Sequence, residues 1–154
     1  KPVRVSPGPL NEETYGVKST TADMAGFLLA HMDPARSKGA LRSALQQTRV
    51  PVYCAGQTRQ GLGWESYQDW KNLDVLLAGN SNQMVFEPQP VKACPTGTSN
   101  EPDVWVNKTG STAGFGAYAV FLPARQTGIV ILANRNYPIA DRIRLAHGIL
   151  TALH

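Results

Sequence analysis

Residues 104–134 read VWVNKTGSTAGFGAYAVFLPARQTGIVILAN, from Val104 to Asn134. Three runs in this stretch, Val104–Lys108, Gly116–Leu122 and Gly128–Asn134, are rich in β-branched and aromatic residues. They are separated by Thr109–Phe115 and Pro123–Thr127, where Gly, Pro and Thr break the pattern. Short gaps between β-rich runs predict an antiparallel meander, because parallel strands would need a long crossover. The next stretch, residues 140–153, changes period: Ile143, Ala146, His147, Leu150 and Leu153 fall at helical spacing and predict an amphipathic closing helix. Helical signals also precede the strands. The expected fold class is therefore α+β of the α/β-sandwich type, an antiparallel sheet with helices on its faces.

Working back toward the start, residues 1–18 hold Pro2, Pro7, Gly8, Pro9 and Gly16 and read as an extended lead-in. Residues 19–79 read as helices and short strands. Ser19 or Thr20 caps a first helix with Asp23 in its first turn, Met24, Phe27, Leu28 and His31 or Met32 recur along it, and Asp33-Pro34 stops it. A second helix is expected over about Lys38–Gln47 with Leu41, Ala44 and Leu45 on one face. A strand is expected over Gln60–Tyr67, and a short helix over Asn72–Leu77. Residues 80–102, with Pro88, Pro90, Pro95 and Gly97, read as a long surface loop with a short strand around Gln83–Phe86. Loops of that length inside a compact domain tend to line binding sites. Strands then occupy 103–135.

The 154 residues are 42% hydrophobic and 17% charged, the balance of a folded protein with one core. The excess of 15 Lys and Arg over 11 Asp and Glu is scattered singly, so no basic stripe points to nucleic acid. No apolar run approaches the roughly 18–20 residues of a membrane span. The chain opens Lys1-Pro2-Val3-Arg4, which reads as the continuation of something longer. Cys54 and Cys94 stand forty positions apart; they could pair in an oxidising compartment, but that spacing does not show that their Cα atoms come within bridging range, so two free thiols are expected ahead of a bridge. His31, His147 and His154 share no metal-ligand spacing and read as helix-surface or terminal residues; no cofactor is expected. Trp64, Trp70 and Trp105 read as core packing, Asp69 and Asp74 as solvated surface, and Glu65 as structural.

The chemistry is concentrated in Lys108-Thr109-Gly110-Ser111-Thr112. An ammonium, two hydroxyls and a position without a side chain along one strand suit a carboxylate-bearing amide laid against the strand edge; the plain alternative is a strand ending in a polar turn. A Lys-Thr-Gly strand is a signature of serine β-lactamases and penicillin-binding proteins. The longer string NKTGSTAGFGAY (Asn107–Tyr118), with GIVILANRNYP (Gly128–Pro138) and Arg142, closely resembles the C-terminal part of class C β-lactamases. PVRVSPGPL (Pro2–Leu10), YGVKST (Tyr15–Thr20) and QGLGWE (Gln60–Glu65) resemble the same family in the same order.

That resemblance implies the serine β-lactamase fold, here its C-terminal part only, and a catalytic set of Lys108, Thr109, Gly110 and Ser111. Lys108 would support the tyrosine base and the substrate carboxylate, and Ser111 would give its backbone N–H to the oxyanion hole. Tyr15, Thr112, Asn136 and Arg142 would bind substrate, Tyr15 as an aromatic wall and the last two at the carboxylate end. Ile139 stands where many members have a further Asn. The loop over about Asn80–Ser99 would face the leaving-group side chain of cephalosporins. The implied partner is a β-lactam, and the implied location is the periplasm.

Two further signatures of the family are missing. No serine is followed three residues on by lysine, and no tyrosine is followed two residues on by asparagine. Both motifs lie upstream in the family, so the expectation is a C-terminal portion whose partner is the N-terminal portion of the same enzyme, and which is inactive alone. A carboxylesterase or D-alanyl-D-alanine peptidase of the same superfamily is the alternative enzyme. A non-catalytic fragment self-associating through an exposed sheet edge is the alternative outside enzymes.

Overall fold

A computed structural model describes Leu10, residues 16–95 and residues 103–154. Helices α1 (Thr21–Met32) and α2 (Gly39–Thr48) come first. Strands β1 (Tyr53–Ala55), β2 (Thr58–Gln60) and β3 (Glu65–Tyr67) follow, then short helices α3 (Leu73–Gly79) and α4 (Asn82–Phe86) and the two-residue strand β4 (Lys92–Ala93). The meander is β5 (Trp105–Ser111), β6 (Gly116–Leu122) and β7 (Thr127–Ala133), and α5 (Ile139–Leu153) closes the chain. All seven strands join one antiparallel sheet in the order β4-β1-β2-β3-β5-β6-β7. No described helix is long and apolar enough to cross a membrane.

Alternation along β5 and β6 splits the core into two layers. Trp105, Tyr118, Val120 and Leu122 face Ile143, Ala146 and Leu150 of α5 and Leu76 of α3, forming one buried cluster. Val106, Ala119 and Phe121 face the other way, against Leu28 and Met32 of α1 and the ring of Trp64. Of the helical stripe expected over residues 140–153, Ile143, Ala146 and Leu150 face the core, whereas Leu153 at its end is exposed. Thr20 caps α1 by accepting from the Asp23 N–H, and Asp33 ends it ahead of Pro34. The three tryptophans are buried, as core packing requires.

Several expectations are corrected. Gln60–Tyr67 is a hairpin rather than one strand: the chain reverses through Gly61–Trp64, with Gly63 at φ 87°, a conformation that costs glycine nothing. Gln83–Phe86 lies in a short helix, because Ser81 accepts from the Met84 N–H and caps it. The β-propensity of Val85 and Phe86 has no effect where both are exposed and, among the described residues, no strand lies beside them. Lys108 does not end its strand, since the ladder runs on to Ser111 opposite Gly116.

Leu41 does not share a buried face with Leu45: it is exposed, and Leu45 alone in α2 is buried. His31 is not at the surface. Its ring is buried between Phe27 and Trp64, with Nδ1 bonded to the Phe27 carbonyl.

Cys54 and Cys94 are not free thiols but a disulfide with Cα atoms 5.2 Å apart. The sheet order explains the pairing. β4 returns beside β1, with Cys54 opposite Lys92, and the Cys94 N–H donates to the Val52 carbonyl. Spacing in sequence carries no trace of that return.

Three measurements check this description. Thiol titration of the denatured, unreduced protein finds no free thiol; two reactive thiols would contradict the bridge. Burial holds the His31 imidazole below its ordinary value of 6.5. The unfolded chain therefore takes up the proton first, and stability falls as pH drops below about 6.5. Denaturant unfolding at pH 7.5 and 5.5 should show a drop that His31→Phe largely removes, whereas equal slopes in both proteins would contradict it. Gly116→Ala would place a Cβ 2.6 Å from Nη2 of the clamped Arg142 guanidinium, and unfolding should be easier by about 1–3 kcal/mol.

Candidate active site

β5 carries seven residues, but its two neighbours do not pair with it equally. β6 runs beside Val106–Ser111, whereas β3 reaches only Trp105–Asn107. Past the pairing of Glu65 with Asn107 the β3 chain turns away through Trp64 and Gly63, so among the described residues Lys108–Ser111 has no strand on that side. An unpaired strand edge is a ready template for an extended, amide-bearing ligand.

Lys108 stands at this edge with its side chain half exposed and its Nζ 2.8 Å from Glu65 Oε1. The other Glu65 oxygen accepts from Asn107 Nδ2 at 3.2 Å. Asn107 is fully buried, and its Oδ1 receives Trp105 Nε1 at 2.9 Å and the Tyr118 hydroxyl at 3.2 Å. Asn80 continues this network, donating to the Tyr67 hydroxyl and the Leu76 carbonyl. Glu65 is thus fixed from the core, and Lys108 is fixed by Glu65. An ion pair this exposed adds little stability, so its consequence is the place where the ammonium stands. Burial pushes the Tyr67 and Tyr118 phenols well above their ordinary range, so neither serves as a base near neutral pH.

Arg142, reaching back from α5, holds the far end of the edge. Its fully buried guanidinium donates from Nη1 to the Gly110 carbonyl (2.8 Å), the Ser111 hydroxyl (3.1 Å) and the Ala117 carbonyl (3.2 Å). Nη2 donates to Asn136 Oδ1 (3.1 Å) and to the Tyr137 carbonyl. All these partners are neutral oxygens. Burial lowers the guanidinium's pKa, yet an arginine stays charged. Lys108 is offset by Glu65 while Arg142 is offset by no anion in this set, so positive potential remains at the Ser111 end. Gly116, opposite Ser111, gives the guanidinium its room.

Two cavities meet at Lys108 and Thr109. One, of about 490 Å³, is almost wholly apolar and lies between α1, α2 and the sheet, with Phe27, Leu62 and Leu132 on its walls. The other, of about 560 Å³, is mixed in polarity: Gln60, Glu65 and Asn80 form one side, and Met84, Glu87 and Val91 the other. The sequence-predicted residues are thus distributed as follows. Lys108, Thr109, Gly110 and Ser111 share the open edge, with Arg142 and Asn136 joined behind it. Thr112 closes the hairpin turn, its hydroxyl accepting from the Gly114 and Phe115 N–H groups. Tyr15 lies outside the described residues, as does the 96–102 end of the expected loop. Glu65 was missed as a site residue. The signal for it was its place at the end of QGLGWE, but its pairing with Lys108 spans 43 residues.

Among the described residues no group of three or more His, Cys, Asp or Glu could hold a metal. The β-lactamase family model matches residues 1–154. A β-lactamase of Pseudomonas fluorescens is 45% identical over 99% of the chain, and one of Psychrobacter immobilis is 43% identical over 99%. A D-alanine carboxypeptidase of Burkholderia cenocepacia superposes with TM-score 0.92 at 41% identity over 99% of the chain. A β-lactamase/D-alanine carboxypeptidase of Pseudomonas syringae gives 0.92 at 44% over 100%. The chain spans only 43% and 38% of the first two relatives and 44% and 43% of the two solved chains. With the family model matching residues 1–154 and relatives 43–45% identical over 99% of the chain, the chain belongs to the β-lactamase family.

Proposed function

We propose that this chain is the C-terminal portion of a class C serine β-lactamase that opens the β-lactam amide of cephalosporins and penicillins through an acyl-enzyme. The observation that carries the reading is the unpaired edge at Lys108–Ser111, with an ammonium fixed at one end and a buried guanidinium behind the other. A serine from the N-terminal portion would attack the lactam carbonyl, and the carbonyl oxygen would take the charge. The Ser111 N–H would meet that oxygen, an interaction worth about 2.7–4 kcal/mol of barrier. The Ser111 carbonyl would receive the substrate's side-chain amide N–H. Collapse of the tetrahedral adduct would break the C–N bond, the ring nitrogen taking a proton, and water would later release the acyl group. Lys108 would support the base that handles those protons. Asn136 and the potential from Arg142 would favour the substrate carboxylate, and Tyr15 would wall the cleft.

The apolar cavity and the exposed Phe27, Leu62 and Leu132 on its walls support a covering N-terminal portion, because a monomer rarely leaves such a face in water. The disulfide supports a periplasmic location, since bridges persist in oxidising compartments. A D-alanine carboxypeptidase is the second reading, favoured by the names of the two solved neighbours.

The purified chain alone should not turn over a chromogenic cephalosporin, and adding the N-terminal portion should restore turnover; activity of the chain by itself would refute the proposal. A panel of cephalosporins, penicillins and D-alanyl-D-alanine peptides on the full-length protein separates the two enzyme readings. In that protein Lys108→Ala should lower kcat/KM by about 10²–10³-fold. Glu65→Gln, which leaves the ammonium without its anchor, should cost about tenfold to a hundredfold.

Gly110 gives a cleaner test. A Cβ there would meet only Ala117 Cβ, at an ordinary 3.5 Å, so nothing in the described chain requires glycine. Gly110→Ala should therefore keep the wild-type thermal midpoint while losing at least about tenfold in kcat/KM. A fully active variant would show that no substrate lies along the edge.

A further inference from the structure

The segment between α3 and β4 has no core of its own. No residue from Ser81 to Ala93 is buried, whereas Asn80 before it and Cys94 after it both are. Val85, Phe86 and Val91 are more than half exposed. The Gln89 amide donates to the carbonyls of Gln83 and Glu87, bonds that shape the segment without attaching it to anything else. Its position is therefore set from its two ends. At one end Asn80 is held by the Tyr67 hydroxyl and the Leu76 carbonyl. At the other there is a two-residue ladder to β1, one backbone bond from Cys94 to Val52, and the Cys54–Cys94 bridge. A ladder that short at the outer edge of a sheet opens easily, and a covalent bond does not. The inner side of the same segment, from Met84 to Val91, forms one wall of the mixed cavity that reaches Lys108 and Thr109.

We propose that the Cys54–Cys94 bridge is a specificity-determining tether. By fixing the end of segment 81–93 to β1 it keeps that segment as a standing wall, and the wall limits the bulk a ligand can place in the cavity beside Lys108. The bridge touches neither Lys108 nor the Ser111 edge, so the bond-breaking steps do not depend on it. The substrate side of this proposal rests on the β-lactam reading above, together with the resemblance by which the loop over about Asn80–Ser99 would face the group on the leaving side of the lactam nitrogen.

The test uses full-length protein in three forms: wild type, Cys54→Ala with Cys94→Ala, and folded wild type treated with a water-soluble phosphine. The phosphine's electron pair opens the S–S bond to two thiols, with water giving its oxygen to the phosphine and its protons to the sulfurs. This third form supplies the comparison if the double variant does not fold. The first readout is amide hydrogen exchange. Without the bridge, residues 82–93 should exchange at least about tenfold faster while β5 and β6 keep their protection. The second is kcat/KM for two cephalosporins that differ in the bulk of the leaving-side substituent. The ratio of bulky to small should rise at least about fivefold without the bridge, through KM, with the small substrate little changed.

Unchanged exchange at 82–93, or faster exchange across the whole sheet, overturns the tether. Faster local exchange with an unchanged substrate ratio overturns its role in specificity. Absence of any β-lactam hydrolysis by the wild type overturns the reading of the site and with it the specificity role, while the exchange comparison still decides whether the bridge holds the wall.

Discussion

One inequality of strand pairing shapes the site. β5 extends four residues past the last one that β3 pairs with, because the β2–β3 hairpin turns back at Gly61–Trp64. On its other side β5 stays on the ladder to β6 up to Ser111, so the projecting strand is stiff although one edge is open. A frayed end would present the same residues without fixing them. Here the backbone of Lys108–Ser111 is held from β6, and Arg142 locks the Gly110 carbonyl and Ser111 from behind. Preorganisation of this kind lets amide donors stabilise developing charge without first having to move.

The charges are arranged by the same logic. Lys108 is held by Glu65, Glu65 by the buried Asn107, and Asn107 by Trp105 and Tyr118, so the ammonium at the edge answers to the hydrophobic core behind it. Arg142 is buried among neutral oxygens, which leaves its charge to act outward at the Ser111 end. The expense of burying that cation is borne by five hydrogen bonds and by the absence of a Cβ at Gly116.

The meander and the closing helix were legible because each rests on local signals: β-rich runs separated by short Gly- and Pro-bearing gaps, and the 3.6-residue stripe through Ile143, Ala146 and Leu150. The cap at Thr20 and the stop at Asp33-Pro34 were legible for the same local reason. What could not be read depends on contacts between distant residues. The Cys54–Cys94 bridge follows from β4 returning to β1, and Glu65 becomes a site residue only when the hairpin brings it across from Asn107. His31 looked like a surface residue because α1 gives no hint that Trp64 and Phe121 will close over it. The β-propensity of Val85 and Phe86 suggests a strand, but among the described residues no strand lies next to them. The motif is legible as a string, and the structure places Lys108-Thr109-Gly110 on the part of β5 that runs past β3.

The most direct measurement is a structure of the full-length protein with a boronic acid bound to its nucleophile, since the tetrahedral boronate stands in for the adduct formed when a lactam carbonyl is attacked. The account predicts a boronate oxygen within about 3 Å of the Ser111 backbone nitrogen, the ligand's amide along the open side of β5, and the Lys108–Glu65 pair still in place. A boronate seated with its oxygen away from Ser111 and its amide off the β5 edge would contradict it.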